Sequence, residues 1–182
     1  MSSTSLDTSK WSDDHSTGYQ MNKRFAVIIS NILSEIMEEE EKLNNNHKFT
    51  TINRSVDIFA GKRDPSISIH EYYERLIKYT KLENFTLIIS LIYLDRIFEM
   101  DNVVIKIINA HRLILASVFL AIKFNEDDLY DNKFYARVGR VKLEELLKIE
   151  ETYLQKINYS LFVHESIFAK YESFLNEYDG LN

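Results

Sequence analysis

The chain has 182 residues, no cysteine, one proline (Pro65), four glycines and a formal net charge of −6. A length of this order suffices for one domain that buries about 70 % of its unfolded surface without a covalent staple. Lack of cysteine excludes disulfides, thiolate metal sites and cysteine nucleophiles; scarce Pro and Gly argue against an all-β chain with its many turns; the acidic balance argues against a general nucleic-acid binder.

Residues 1–20 are rich in Ser, Thr and Asp, hold no apolar stretch that could serve as a signal peptide, and read as a disordered polar tail. Phe25, Ile28, Ile29, Ile32, Leu33 and Ile36 recur at helical spacing and predict a helix over 21–43 with Glu38–Glu41 as its solvated end. Asn44–Asn46 is a polar break, Phe49–Phe59 fits a short helix, and Gly61–Pro65 is a connector. Ser68 followed by Glu71 is a capping box, in which the serine hydroxyl and the glutamate carboxylate satisfy free backbone N–H groups reciprocally. The helix it opens turns Tyr72, Tyr73, Leu76 and Ile77 to one side.

Asn84 is expected to cap a helix reaching about Met100, and Asn109 one reaching about Asn125. Lys133–Val138 reads as a short turn of helix stopped by Gly139, followed by helices over about 142–158 and 165–177. The run Leu113–Ile122 is apolar on every side, so the expected architecture is all-α, with this helix buried at the centre and wrapped by helices of one apolar face each. The longest apolar-rich runs, Phe85–Leu94 and Leu113–Ile122, fall far short of the roughly 20 residues that span a bilayer. The expected location is therefore the cytoplasm, the nucleus or both, and the glycosylation patterns at Asn53, Asn84 and Asn158 read as chance.

No chemistry stands out. Histidines 15, 47, 70, 111 and 164 form no metal-binding pair at helical spacing, there is no glycine-rich phosphate loop, and no Gly-x-Ser-x-Gly elbow. The reading is a protein with no catalytic residue, metal or cofactor. Three charges nevertheless stand among apolar residues. Asp95 lies between Leu91–Leu94 and Ile97-Phe98 and reads as one half of an internal pair, with Arg75 as the sensible partner and Arg96 as its competitor. Lys123 ends the all-apolar run. Glu150 shares a helix face with Leu143, Leu147, Leu154 and Ile157. For these two, a bland role, as a chance surface charge or an internal ion pair, and a functional role remain equally open.

Six stretches occur in order: Ile67-Ser-Ile-His-Glu-Tyr-Tyr-Glu-Arg-Leu-Ile-Lys-Tyr79, Tyr93-Leu-Asp-Arg-Ile97, Ala110-His-Arg-Leu113, Ala121-Ile-Lys-Phe-Asn-Glu-Asp127, Asn132-Lys-Phe-Tyr-Ala-Arg-Val-Gly139 and Leu143-Glu-Glu-Leu146. Residues 67–163, which contain them, resemble the cyclin box, in the form of the P- and U-type cyclins related to the phosphate-pathway cyclin. The resemblance implies a five-helix cyclin box over 67–163, an N-terminal helix and connector over 21–66 and a C-terminal helix over 164–182, with no room for a second cyclin fold. It implies a non-enzymatic subunit that binds and activates a cyclin-dependent protein kinase by gripping its regulatory helix, in cell division or nutrient signalling. Nucleic acid, membrane and small-molecule substrate are not expected partners. By position, Lys123 and Glu150 look like the pair that hydrogen-bonds the kinase. Leu120, Phe124, Leu154 and Leu161 look like the apolar positions that receive its regulatory helix. Arg75 and Asp95 look like an internal ion pair.

The chain departs from that pattern at two places. Lys142 stands where relatives usually carry a capping serine or threonine, and Gly139-Arg140 stands where they often carry two glycines. The resemblance also locates the surface that in A- and E-type cyclins captures Arg-x-Leu peptides; here it reads Glu74-Arg-Leu-Ile-Lys78 with Lys81 nearby, so no such docking is expected. Two other readings remain: a cyclin-fold scaffold in transcription or peptide binding without a kinase, and a helical enzyme, disfavoured by the missing motifs.

Overall fold

A computed structural model describes residues 17–46, 58–101 and 103–178. Among them are seven helices and no strand: α1 (Thr17–Asn46), α2 (Ile69–Thr80), α3 (Asn84–Asp101), α4 (Ala110–Asn125), α5 (Asn132–Val138), α6 (Leu143–Lys156) and α7 (Glu165–Glu177). The expected all-α architecture is present. Its centre differs from the sequence reading, because two helices are buried rather than one. Residues 86–94 of α3 and 113–122 of α4 are each buried without interruption, and the two helices pack on each other. The two serines in these runs bond back to their own helix, Ser90 to the Leu87 carbonyl (2.7 Å) and Ser117 to that of Ile114 (2.9 Å). Their hydroxyls thus need no solvent. Ala116, Ser117 and Ala121 keep the packed surfaces of α4 small.

The remaining helices wrap this pair with one buried stripe each. α1, about 45 Å long at the helical rise, lays Phe25, Ala26, Ile28, Ile29 and Leu33 toward α2 and α3. It begins at Thr17, four residues ahead of the expected start, and the Asn22 amide ties it to the Leu82 carbonyl (2.6 Å). Residues 1–16, most of the expected short helix at 49–59 and residues 179–182 lie outside the described residues. Ile58 and Phe59 form a turn, and the Phe59 ring meets Tyr153 edge-on.

The expected capping box is present, with Ser68 Oγ accepting from the Glu71 N–H (3.2 Å) and Glu71 accepting from the Ser68 N–H (2.7 Å). Two other expected caps are not. Asn84 is the first residue of α3, and its side-chain oxygen has no partner. Asn109 precedes α4 without capping it; its amide accepts from the Lys106 N–H (2.8 Å) and donates to the Val104 carbonyl (3.0 Å), bracing the loop before the helix. Lys142 gives α6 no side-chain cap, as its chemistry dictates, and Glu145, three residues on, pairs with Arg112 of α4 instead. None of the described helices is long and apolar enough to cross a membrane.

Candidate functional site

α6 carries two apolar stripes. Leu146, Ile149 and Tyr153 form the one buried in the core. The face that the sequence reading gave to Leu143, Leu147, Glu150, Leu154 and Ile157 is the neighbouring stripe: Ile157 at its end is buried, Leu143, Glu150 and Leu154 are half-buried, and Leu147 is 40 % exposed. A helix whose own domain covers one stripe and leaves the next apolar is shaped for a second surface.

Glu150 stands in the middle of this half-covered stripe. Its carboxylate accepts from the Lys123 ammonium at 2.6 Å, with the two side chains 13 % and 35 % exposed. The ammonium also lies 5.0 Å from the centroid of the Phe119 ring. Lys123 reaches this position because it follows the last buried turn of α4, where the helix emerges from the core. A second ion pair, Arg112 to Glu145, joins the opposite end of α4 to the start of α6 and fixes how the two helices cross.

The other expected positions surround this pair in different states. Phe124, next to Lys123, is 53 % exposed. Leu154, one turn beyond Glu150, and Leu161, on the strap between α6 and α7, are half-buried against the core. Leu120 is 2 % exposed, so it belongs to the core beneath the surface.

The strap is itself held in place. Tyr93 donates to the Leu161 carbonyl (2.8 Å), and Arg96 donates to the carbonyls of Ser160 (2.6 Å) and Phe162 (2.9 Å). Tyr153 in turn donates to the Tyr93 carbonyl (2.9 Å), so α3 ties α6 and the strap together. Asn158 and Tyr159, at φ 50° and 55°, make the sharp turn out of α6. Sequence reasoning missed this network because its acceptors are backbone carbonyls, which leave no trace in side-chain pattern.

The expected Arg75–Asp95 pair is not formed. Arg75 donates through Nε to the Val138 carbonyl (2.7 Å) and more weakly to that of Arg137 (3.4 Å), holding the end of α5. Asp95 accepts from the Tyr171 hydroxyl of α7 at 2.5 Å. The side chains separate because α2 packs on α5, whereas α3 packs on α7. Burial pushes the Asp95 carboxyl above its ordinary value of 3.8, although the Tyr171 bond opposes the shift. A raised value means that ionised Asp95 costs the folded state stability, a cost absent at low pH and present once pH exceeds the folded value. Asp95→Asn is therefore expected to be neutral or stabilising at pH 7, with the gain vanishing below about pH 4. Tyr171→Phe, which strands the carboxylate, should cost about 1–2 kcal/mol at pH 7. Denaturant melts of both variants at the two pH values check this.

A family model for cyclins matches residues 15–161, which contain the α4–α6 pair and the start of the strap. The chain is 32 % identical over 145 residues to Cyclin-P3-1 of Oryza sativa subsp. japonica, a match covering 80 % of this chain and 60 % of that protein. It is 34 % identical over 149 residues to Cyclin-U1-1 of Arabidopsis thaliana, covering 81 % and 70 %. It is 34 % identical over 148 residues to Cyclin-U4-3 of Arabidopsis thaliana, covering 81 % and 64 %. It thus spans about three fifths to seven tenths of the length of these relatives. A helical domain with buried α3 and α4 at its centre, matched in sequence across α1 to α6, places this chain in the cyclin family, among relatives of the P and U types.

Proposed function

We propose that this regulatory protein binds and activates a cyclin-dependent protein kinase through the surface built by Lys123, Phe124, Glu150, Leu154 and Leu161, with Leu120 supporting it from the core. The observation that carries the reading is the Lys123–Glu150 pair set within an apolar stripe that the domain leaves only half-covered. An ion pair there is poorly placed for stability alone, because its partial desolvation is repaid only if further hydrogen bonds form. Backbone and polar groups of a docked helix supply those bonds, and Phe124, Leu147, Leu154 and Leu161 supply apolar anchors around them.

The mechanism follows from what a kinase needs. Activity requires an ion pair between the strand lysine that holds the ATP phosphates and a glutamate on a mobile regulatory helix. A surface that binds this helix only in its inward position shifts the kinase toward the active state by the difference in affinity for the two positions. Pull-down with the tagged chain is expected to recover a cyclin-dependent kinase, whose activity rises on addition of the pure chain; recovery of transcription components without any kinase would favour a scaffold role.

The reading carries a negative expectation at α2. Leu76 and Ile77 are buried in the core, leaving Glu74, Arg75 and Lys78 on that surface. A fluorescent Arg-x-Leu peptide should show no saturable binding in the micromolar range. Saturable binding there would contradict it.

A further inference from the structure

The surface around α2 and the α5–α6 turn is cationic in a chain whose net charge is −6. Arg75 is half-buried, its guanidinium drawn onto the carbonyls of Val138 and Arg137. Arg137, Arg140 and Lys78 are exposed around it. Arg75 and Lys78 both lie over the Tyr79 ring, at 5.2 and 5.9 Å from its centroid. Arg75 and Arg140 are also close enough to the buried Tyr72 hydroxyl for their charges to act on it.

The nearby carboxylates make no ion pair with this group: Glu71 accepts from Ser68, Glu145 pairs with Arg112, Glu74 lies 3.8 Å from His70, and Glu144 stands exposed at the start of α6. Among the described residues, no carboxylate comes within ion-pair distance of Arg75, Lys78, Arg137 or Arg140. A second, independent observation concerns Arg140, which sits at φ 56°, a backbone conformation that costs any residue but glycine. Neither backbone conformation nor an internal ion pair accounts for an arginine there.

We propose that this surface, formed by Arg75, Lys78, Arg137 and Arg140, docks a phosphorylated segment of a partner protein. A phosphate carries close to two negative charges and three acceptor oxygens, which suit planar guanidinium forks. The partly covered Tyr79 face offers the flanking peptide an apolar contact that a free anion cannot use. A short cluster at the α2 and α5–α6 junction suits a single phosphate better than the phosphate row of a nucleic acid, which a longer basic track would follow. On the proposed function, such docking would bring already phosphorylated partners to the kinase; the binding event itself requires no kinase.

The test is fluorescence anisotropy on the isolated chain, using a short labelled Gly/Ala peptide with one central phosphoserine. Its unphosphorylated form, inorganic phosphate and a short single-stranded RNA serve as competitors. The phosphopeptide is expected to bind at least about tenfold more tightly than its unphosphorylated form, and more weakly as salt rises. Lys78→Glu and Arg140→Gly should each weaken it about five- to tenfold. Arg140→Gly should do so while raising the melting temperature, which separates lost contact from lost fold. Kinase recovery by the same variants should be unchanged, so failure here is distinct from failure of the kinase-binding surface. The proposal is overturned by equal binding of the two peptides, by no binding, or by affinity indifferent to both substitutions. It is equally overturned if inorganic phosphate or RNA matches or exceeds the phosphopeptide in affinity.

Discussion

Lys123→Ala and Glu150→Ala should each weaken binding to the cognate kinase by about 30- to several-thousand-fold, equivalent to about 2–5 kcal/mol. In the free protein the same changes should cost about 1 kcal/mol or less, because Lys123 is too exposed for its ion pair to add much. Docking would desolvate both groups, and truncating either would then strand the other. The double variant should consequently lose less affinity than the two singles combined, with a coupling of about 0.5–3 kcal/mol. A double-mutant cycle read by kinase binding, with melting temperature alongside, separates the possibilities. Large losses of melting temperature in the singles would make the pair an internal strut.

Gly139→Ala and Arg140→Gly should change stability in opposite directions, although conformational reasoning alone favours alanine at the first position. Gly139 sits at φ −74°, where alanine is at ease, and removing a glycine ordinarily stabilises by about 0.4–1 kcal/mol through the unfolded chain. Here an added Cβ would run into both terminal methyls of Leu115, on the buried α4. Leu115 is 2 % exposed and has little room to retreat. Overpacking of this kind costs about 1–3 kcal/mol. The adjacent Arg140, at φ 56°, carries the left-handed strain, so glycine there should stabilise by about 1 kcal/mol. Denaturant midpoints of the two variants on opposite sides of the parent would confirm that Gly139 answers to packing and Arg140 to backbone conformation.

These two residues also mark how far sequence carries. The resemblance flagged Gly139-Arg140 as a departure, yet which glycine serves packing and which conformation depends on the approach of α4. Periodicity made the helices from Ile69 onward legible, and the capping box marked the start at Ser68; the cap at Asp131, which accepts from the Phe134 N–H and starts α5 at Asn132, went unread. Asn84 and Asn109 have capping chemistry, but tertiary contacts decide whether a side chain faces its own helix end. The Lys123–Glu150 contact was one of the open readings, since charges at apolar positions can meet each other, meet something else or stay at the surface. The Arg75–Asp95 pair failed for the complementary reason. Family position proposed partners, and the packing of α2 on α5 and of α3 on α7 gave each residue a nearer one.

The most direct test is activation of a purified cyclin-dependent kinase, recovered with the tagged chain, by titration with the parent protein and with Lys123→Ala and Glu150→Ala. The account predicts that the kinase is nearly inactive alone and becomes active with saturable dependence on the parent chain. It predicts that either variant, folded by its melting temperature, needs at least about 30-fold more protein for half-activation. Equal potency of parent and variants, or a kinase whose activity does not respond to the chain, would contradict it.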